Sequence, residues 1–165
     1  MTLKNRSLMY KTSGPEETAA LARKIAMLVR PGDVILLKGD LGAGKSIFAR
    51  AFIQALCGED TEVPSPTFTL VQTYEAPPFL VWHFDLYRLT HEADVDELGI
   101  DEAYAGGVSL IEWPERLGTD HLPLHALEID FQYGSHGNEN ERILRLSGWD
   151  GRRWEEIGRL LGVDC

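Results

Sequence analysis

The residues with the clearest chemistry are Gly39-Asp40-Leu41-Gly42-Ala43-Gly44-Lys45-Ser46, which satisfy the spacing of Gly, four residues, Gly, Lys, then Ser or Thr. Glycines in such a run let successive backbone N–H groups converge on phosphate oxygens. A helix opening at Lys45 adds about half a positive charge at its N-terminus. Lys45 is then placed to reach the β- and γ-phosphates of a nucleotide, and the Ser46 hydroxyl to ligate a magnesium ion bridging them. At average residue frequencies the bare pattern arises in on the order of one chain per hundred of this length, so its flanks decide the matter. The apolar run Val34-Ile35-Leu36-Leu37 precedes it, and Phe48, Ala51, Phe52, Ala55 and Leu56 recur at helical spacing after it. Strand, glycine loop and helix stand in the order that a phosphate cradle requires.

A hydroxyl alone does not balance a divalent cation, so a carboxylate is expected at the end of a neighbouring strand. Two apolar runs end in one: Phe79 to Phe84 in Asp85, and Val108 to Ile111 in Glu112. Thr67, in the loop Pro64-Ser65-Pro66-Thr67-Phe68, is the candidate for sensing the γ-phosphate and its metal, against the plain alternative of a proline-rigidified turn. His83 shares a strand face with Asp85, which fits either a supporting role or a satisfied, half-buried histidine. Arg88 fits phosphate contact or a surface ion pair with Glu92 and Asp94. The stretch His91 to Val95 lacks the second histidine of a zinc protease, and no serine nucleophile elbow occurs, so zinc hydrolysis and covalent acyl transfer are not supported. No lysine stands in an Asn-Lys-x-Asp stretch, which favours ATP over GTP.

The elements around these residues read as one α/β domain, as 165 residues with 44% hydrophobic content predict. Ser13-Gly14-Pro15-Glu16 reads as a capping box with Ser13 as N-cap, opening a helix that carries Leu21, Ile25, Leu28 and Val29 and stops before Pro31-Gly32. The second helix is predicted from about Lys45 to Cys57, with Gly58 as its C-cap. Phe68 to Glu75 and Phe79 to Asp85 form a predicted antiparallel hairpin, and short helices cover Asp94 to Ala105. Val108 to Ile111, Leu127 to Phe131 and Arg142 to Leu146 are predicted strands, and a last helix spans about 150–162.

Sixteen basic against 26 acidic residues give a net charge of -10, which opposes any extended grip on a nucleic-acid backbone. Cys57 and Cys165 match neither a disulfide framework nor a zinc site, and no stretch has the length of a signal or membrane segment. Cytoplasmic residence, with neither membrane nor zinc as a partner, is the expectation.

The chain resembles the TsaE (formerly YjeE) family, small bacterial P-loop ATPases required for threonylcarbamoyladenosine formation on tRNA. The likeness runs from about Ser13 to Leu117. It rests on the glycine loop, Ser65-Pro66-Thr67-Phe68-Thr69-Leu70, His83-Phe84-Asp85-Leu86-Tyr87-Arg88, Glu97-Leu98-Gly99-Ile100 and Ile111-Glu112-Trp113-Pro114, in that order. The resemblance implies a single P-loop NTPase domain whose helix-flanked sheet mixes a parallel core with antiparallel strands. It also implies magnesium-dependent ATP hydrolysis and a working complex with the TsaD and TsaB proteins, through which tRNA is reached only indirectly. Carried over by position, Gly39 to Ile47 and Trp113 contact or border the nucleotide, Thr67 sits in a switch-like loop, and Asp85 and Glu112 lie at the metal or the attacking water. Lys45 and Ser46 bind phosphate and metal. Ile47 departs from the family, where a second hydroxyl is common, which weakens an α-phosphate contact. The last helix is expected as a local cap. A small-molecule kinase and a nucleotide-dependent binding module without turnover are the rival functions; such kinases usually place a parallel unit, not a hairpin, after the P-loop helix.

Overall fold

The computed structural model describes residues 6–135 and 137–163, and Cys165 lies outside them. In chain order the elements are β1 (Ser7–Thr12), α1 (Pro15–Ala26), β2 (Val34–Lys38), α2 (Lys45–Cys57), β3 (Val71–Ala76), β4 (Phe79–Asp85), α3 (Ile100–Gly106), β5 (Val108–Glu112), β6 (Leu127–Tyr133), β7 (Arg142–Ser147) and α4 (Gly151–Leu161). Short 3-10 segments cover Glu92–Leu98, Pro114–Leu117 and Thr119–His121.

The strands form one seven-stranded sheet in the order β1-β7-β6-β2-β5-β4-β3. Its centre, β6-β2-β5-β4, is parallel, while β3, β7 and β1 pair antiparallel. The expected mixture of a parallel core with antiparallel strands is therefore present. Burial explains the patterns: β2 is apolar from Val34 to Leu37 and β5 is buried at every position, without polar alternation to solvent, because both faces are covered. Leu21, Ile25, Phe48, Phe52, Trp154 and Ile157 of α1, α2 and α4 pack on one side, and Val95, Ile100 and Leu117 on the other. On β6, Leu127, Ile129 and Phe131 are buried while Glu128 and Asp130 are half-exposed, the alternation of a sheet covered on one face.

Several local expectations need correction. β1 has no counterpart in the sequence reading, because it is a short, half-polar edge strand with only Thr12 fully buried. Ser13 is not the N-cap of α1; Gly14 is, because Pro15 takes the first helical position that its ring favours. The carboxylate half of the capping arrangement comes one residue later, from Glu17 Oε2, which accepts the Ser13 N–H at 2.7 Å. The helix closes at Ala26, where the N–H groups of Met27 and Leu28 turn back to Lys24 and Ile25. The hairpin starts at Val71 and not Phe68, because Leu70 adopts φ +65° and gives its N–H to Pro66.

The last helix is more than a local cap. Trp154 and Ile157 enter the main core, and Arg153 grips Asp33, just before β2, with N–O distances of 2.8 and 2.7 Å. Its guanidinium also lies 3.9 Å from the centre of the Trp149 ring. Asp33→Ala leaves this partly buried guanidinium without its carboxylate, at an expected cost of about 2 kcal/mol. Thermal unfolding should show a melting temperature lower by roughly 5 °C.

Candidate nucleotide-binding site

The loop between β2 and α2 carries its glycines where other residues do not fit. A Cβ on Gly39, which has φ +139°, would lie 2.7 Å from the Phe131 carbonyl oxygen of β6, and Gly44 caps α2 at φ +112°. No side chain caps α2, and its first helical bond runs from the Phe48 N–H to the Gly44 carbonyl. The N–H groups of Lys45, Ser46 and Ile47 are therefore left for an outside acceptor. The loop is braced from behind. Arg142 Nε donates to the Ala43 carbonyl at 3.2 Å, its Nη2 to that of Gly42 at 3.4 Å, and the Tyr133 hydroxyl to that of Leu41 at 3.1 Å.

Opposite the loop, β4 and β5 end side by side, and their parallel register sets Asp85 directly against Glu112. Both carboxylates are buried, at 8% and 3% exposure. Asp85 Oδ1 accepts the Tyr87 N–H at 3.1 Å, and Glu112 Oε2 lies 2.7 Å from His83 Nε2. Burial pushes the Asp85 carboxyl above its ordinary pKa and the adjacent Glu112 adds to the rise, against the Tyr87 N–H, His83 and Lys45. Lys45 is also buried; its Nζ donates to the Gly39 carbonyl and stands 3.6 Å from the centre of the Trp113 ring. Burial draws its ammonium pKa down, opposed by Glu112, Glu115, Asp85 and Asp40.

These groups face one cavity of about 430 Å³. Of the residues singled out in the sequence, Leu41, Gly42, Gly44, Lys45, Ser46, Ile47, Thr67, Asp85, Glu112 and Trp113 line it. Gly39 lies beneath and offers its carbonyl to Lys45, Asp40 points outward, and Ala43 is buried with its N–H already given to the Asp40 carbonyl. Thr67 is half-buried, with its hydroxyl 2.7 Å from that of Ser65. Arg88 also lines the cavity; its guanidinium sits 4.7 Å from the centre of the Phe68 ring and joins none of the described ion pairs.

Sequence reasoning missed Tyr87, whose ring is 4.9 Å from that of Trp113, and the braces Tyr133 and Arg142. Tyr87 lies within His83-Phe84-Asp85-Leu86-Tyr87-Arg88, so a local signal marks it. The braces come from distant strands and carry no local signal. His83 is more buried than expected, at 2% exposure, and is bonded to Glu112.

The chain is similar to known proteins over most of its length. Residues 12–143 match the family described as threonylcarbamoyl adenosine biosynthesis protein TsaE. The chain is 41% identical over 153 residues to the tRNA threonylcarbamoyladenosine biosynthesis protein TsaE of Bacillus subtilis, covering 92% of each chain. The likenamed proteins of Rickettsia conorii and Rickettsia felis are 49% and 50% identical over 107 residues, so the match spans a little under two thirds of their length, 61% and 63%. The crystal structure of Bacillus subtilis YdiB superimposes with a TM-score of 0.75 at 31% identity, covering 98% of this chain and 97% of that one. The likeness thus extends well past Leu117, through β6 and into β7.

Proposed function

The chain belongs to the TsaE family of threonylcarbamoyl adenosine biosynthesis proteins, and from that premise we propose that it is a magnesium-dependent, ATP-hydrolysing accessory protein of the machinery that forms N6-threonylcarbamoyladenosine on tRNA. The observation that carries this reading is the single cavity in which Lys45 and the open amides of α2 face Asp85 and Glu112. The amide N–H groups of Lys45, Ser46 and Ile47 donate to the phosphate oxygens of the nucleotide, and Lys45 leaves the Gly39 carbonyl and the Trp113 ring for the β- and γ-phosphate oxygens.

The donor set fits magnesium, a hard cation that takes oxygen ligands: a hydroxyl from Ser46 and carboxylates from Asp85 and Glu112 hold it or its waters. When bound, the ion neutralises phosphate charge. Asp85, costly to ionise where it is buried, gains from any cation placed beside it. Glu112 orients the water that attacks the γ-phosphate, and Thr67 reports the presence of that phosphate to its loop. The partners in this reading are the TsaD and TsaB proteins, and the place of action is the cytoplasm; no helix among the described residues is long and apolar enough to cross a membrane. An acidic chain leaves the tRNA to those partners.

Phosphate release from ATP with no added acceptor, rising when TsaD and TsaB are supplied, is the expected result. A need for a small-molecule acceptor points to a kinase, and no release under any condition points to a passive binding module. The Lys45–Trp113 contact supplies a second test. Adding ATP with magnesium should change the intrinsic fluorescence of the wild-type chain as the ammonium leaves the ring, and Trp113→Phe should abolish most of that change. An undiminished change in the variant places the reporter elsewhere.

A further inference from the structure

Glu112 is buried between opposing pulls, since Lys45 attracts its carboxylate and Asp85, its partner in the β4–β5 register, repels it. A flexible glutamate so placed tends to turn onto the ammonium, which would withdraw it from a water on the γ-phosphate. His83 opposes that rotation. It lies on β4 two residues before Asp85 and on the same sheet face, and its Nε2 is 2.7 Å from Glu112 Oε2, with the two side chains 3% and 4% exposed.

A carboxylate can only accept, so the hydrogen of this bond sits on Nε2. The Nδ1 atom of His83 is buried and finds no partner among the described residues. Among the described residues, the ring's one hydrogen bond is therefore the one to Glu112. A buried polar pair is weak support for stability, because well-packed apolar residues of similar volume often serve as well or better. Packing alone gives no reason for an imidazole here; control of the carboxylate does.

We propose that His83 is the positioning residue for Glu112: its Nε2–H commits Oε2 and thereby turns Oε1 toward the cavity. The inference rests on the reading of Glu112 as the group that orients water, and its test separates the two. The full chain and its partners are assayed as wild type, His83→Leu, His83→Gln, Glu112→Gln and the double variant His83→Leu with Glu112→Gln. His83→Leu should keep ATP affinity within about threefold while partner-stimulated phosphate release falls about 10–100-fold, as is usual when such a supporting bond is lost. His83→Gln, which retains an N–H near the Nε2 position, should recover most of the rate. In the Glu112→Gln background the leucine should cost nothing further, because its effect is routed through that carboxylate.

Wild-type hydrolysis by His83→Leu overturns the proposal. So does a loss that multiplies with that of Glu112→Gln, or a parallel fall in affinity and melting temperature that glutamine does not rescue. Nitrogen NMR of the imidazole gives a readout besides activity. It should find the Nε2–H tautomer, with resonances displaced in Glu112→Gln; the Nδ1–H tautomer, or resonances indifferent to that change, overturns the proposal. This measurement decides the matter if the wild type releases no phosphate, which refutes the hydrolytic function by itself, or if His83→Leu does not fold.

Discussion

Replacing Lys45 with alanine is expected to abolish tight ATP binding while the chain stays folded. Charge-assisted hydrogen bonds to phosphate oxygens are the strong ones, and losing them costs about 3 kcal/mol, on the order of a 100-fold loss of affinity by equilibrium titration. The fold depends on this side chain far less. Lys45 is 4% exposed, and burial holds its charged form at a cost that its neighbours only partly offset. What alanine removes besides the phosphate contact is the cation facing Asp85 and Glu112. Lys45 opposes the rise in the Asp85 pKa, so that rise grows without it. A carboxyl with a raised folded-state pKa favours the fold when protonated, and that contribution is lost as pH climbs from the unfolded pKa through the folded one. Relative to wild type, the melting temperature of Lys45→Ala should therefore improve as pH falls from about 7 toward 4. Unchanged ATP affinity in this variant would remove the basis for a phosphate cradle.

Much of this site was legible because its parts are local. α2 runs from Lys45 to Cys57 as read, since Gly44 and Gly58 mark its ends and the apolar spacing between them is regular. Asp85 and Glu112 were legible as strand-end carboxylates because the continuous apolar runs before them mark parallel strands buried on both faces. Their direct opposition was not legible, because it depends on the register between β4 and β5. The same register brings His83 to Glu112 across 29 positions, a pairing that no spacing within either strand encodes. Arg142 and Tyr133 reach the loop over 99 and 92 positions, through β7 and β6. β1 escaped notice for a different reason: its partner β7 supplies the pairing, and its own residues are half polar. Thus local chemistry announced the phosphate side of the site, while the supports that hold it are properties of the assembled sheet.

Glu112→Gln should separate binding from hydrolysis. The amide has the shape of the carboxylate, and its oxygen still accepts the His83 Nε2–H, so the β5 end keeps its packing and its bond. One negative charge is removed from a pocket built for polyphosphate, and ATP affinity should hold or tighten. The lost function is specific: a neutral amide neither draws a proton from water nor favours the charge that develops as water attacks. General-base assistance of this kind contributes about 10²–10⁴-fold, so partner-stimulated phosphate release should fall by a factor in that range. Asp85→Asn distinguishes the neighbouring carboxylate. Asp85 is held by the Tyr87 N–H and faces Lys45, which suits a metal-side role, so its loss should raise the magnesium concentration needed for half-maximal ATP binding. Turnover by Glu112→Gln at the wild-type rate, measured in the reconstituted complex, would move the base elsewhere and leave Glu112 as a buried neighbour of the cradle. A shared phenotype in both variants, with magnesium-dependent binding lost in each, would make the two carboxylates one cation site, because neutralising either would then remove charge from the same ion.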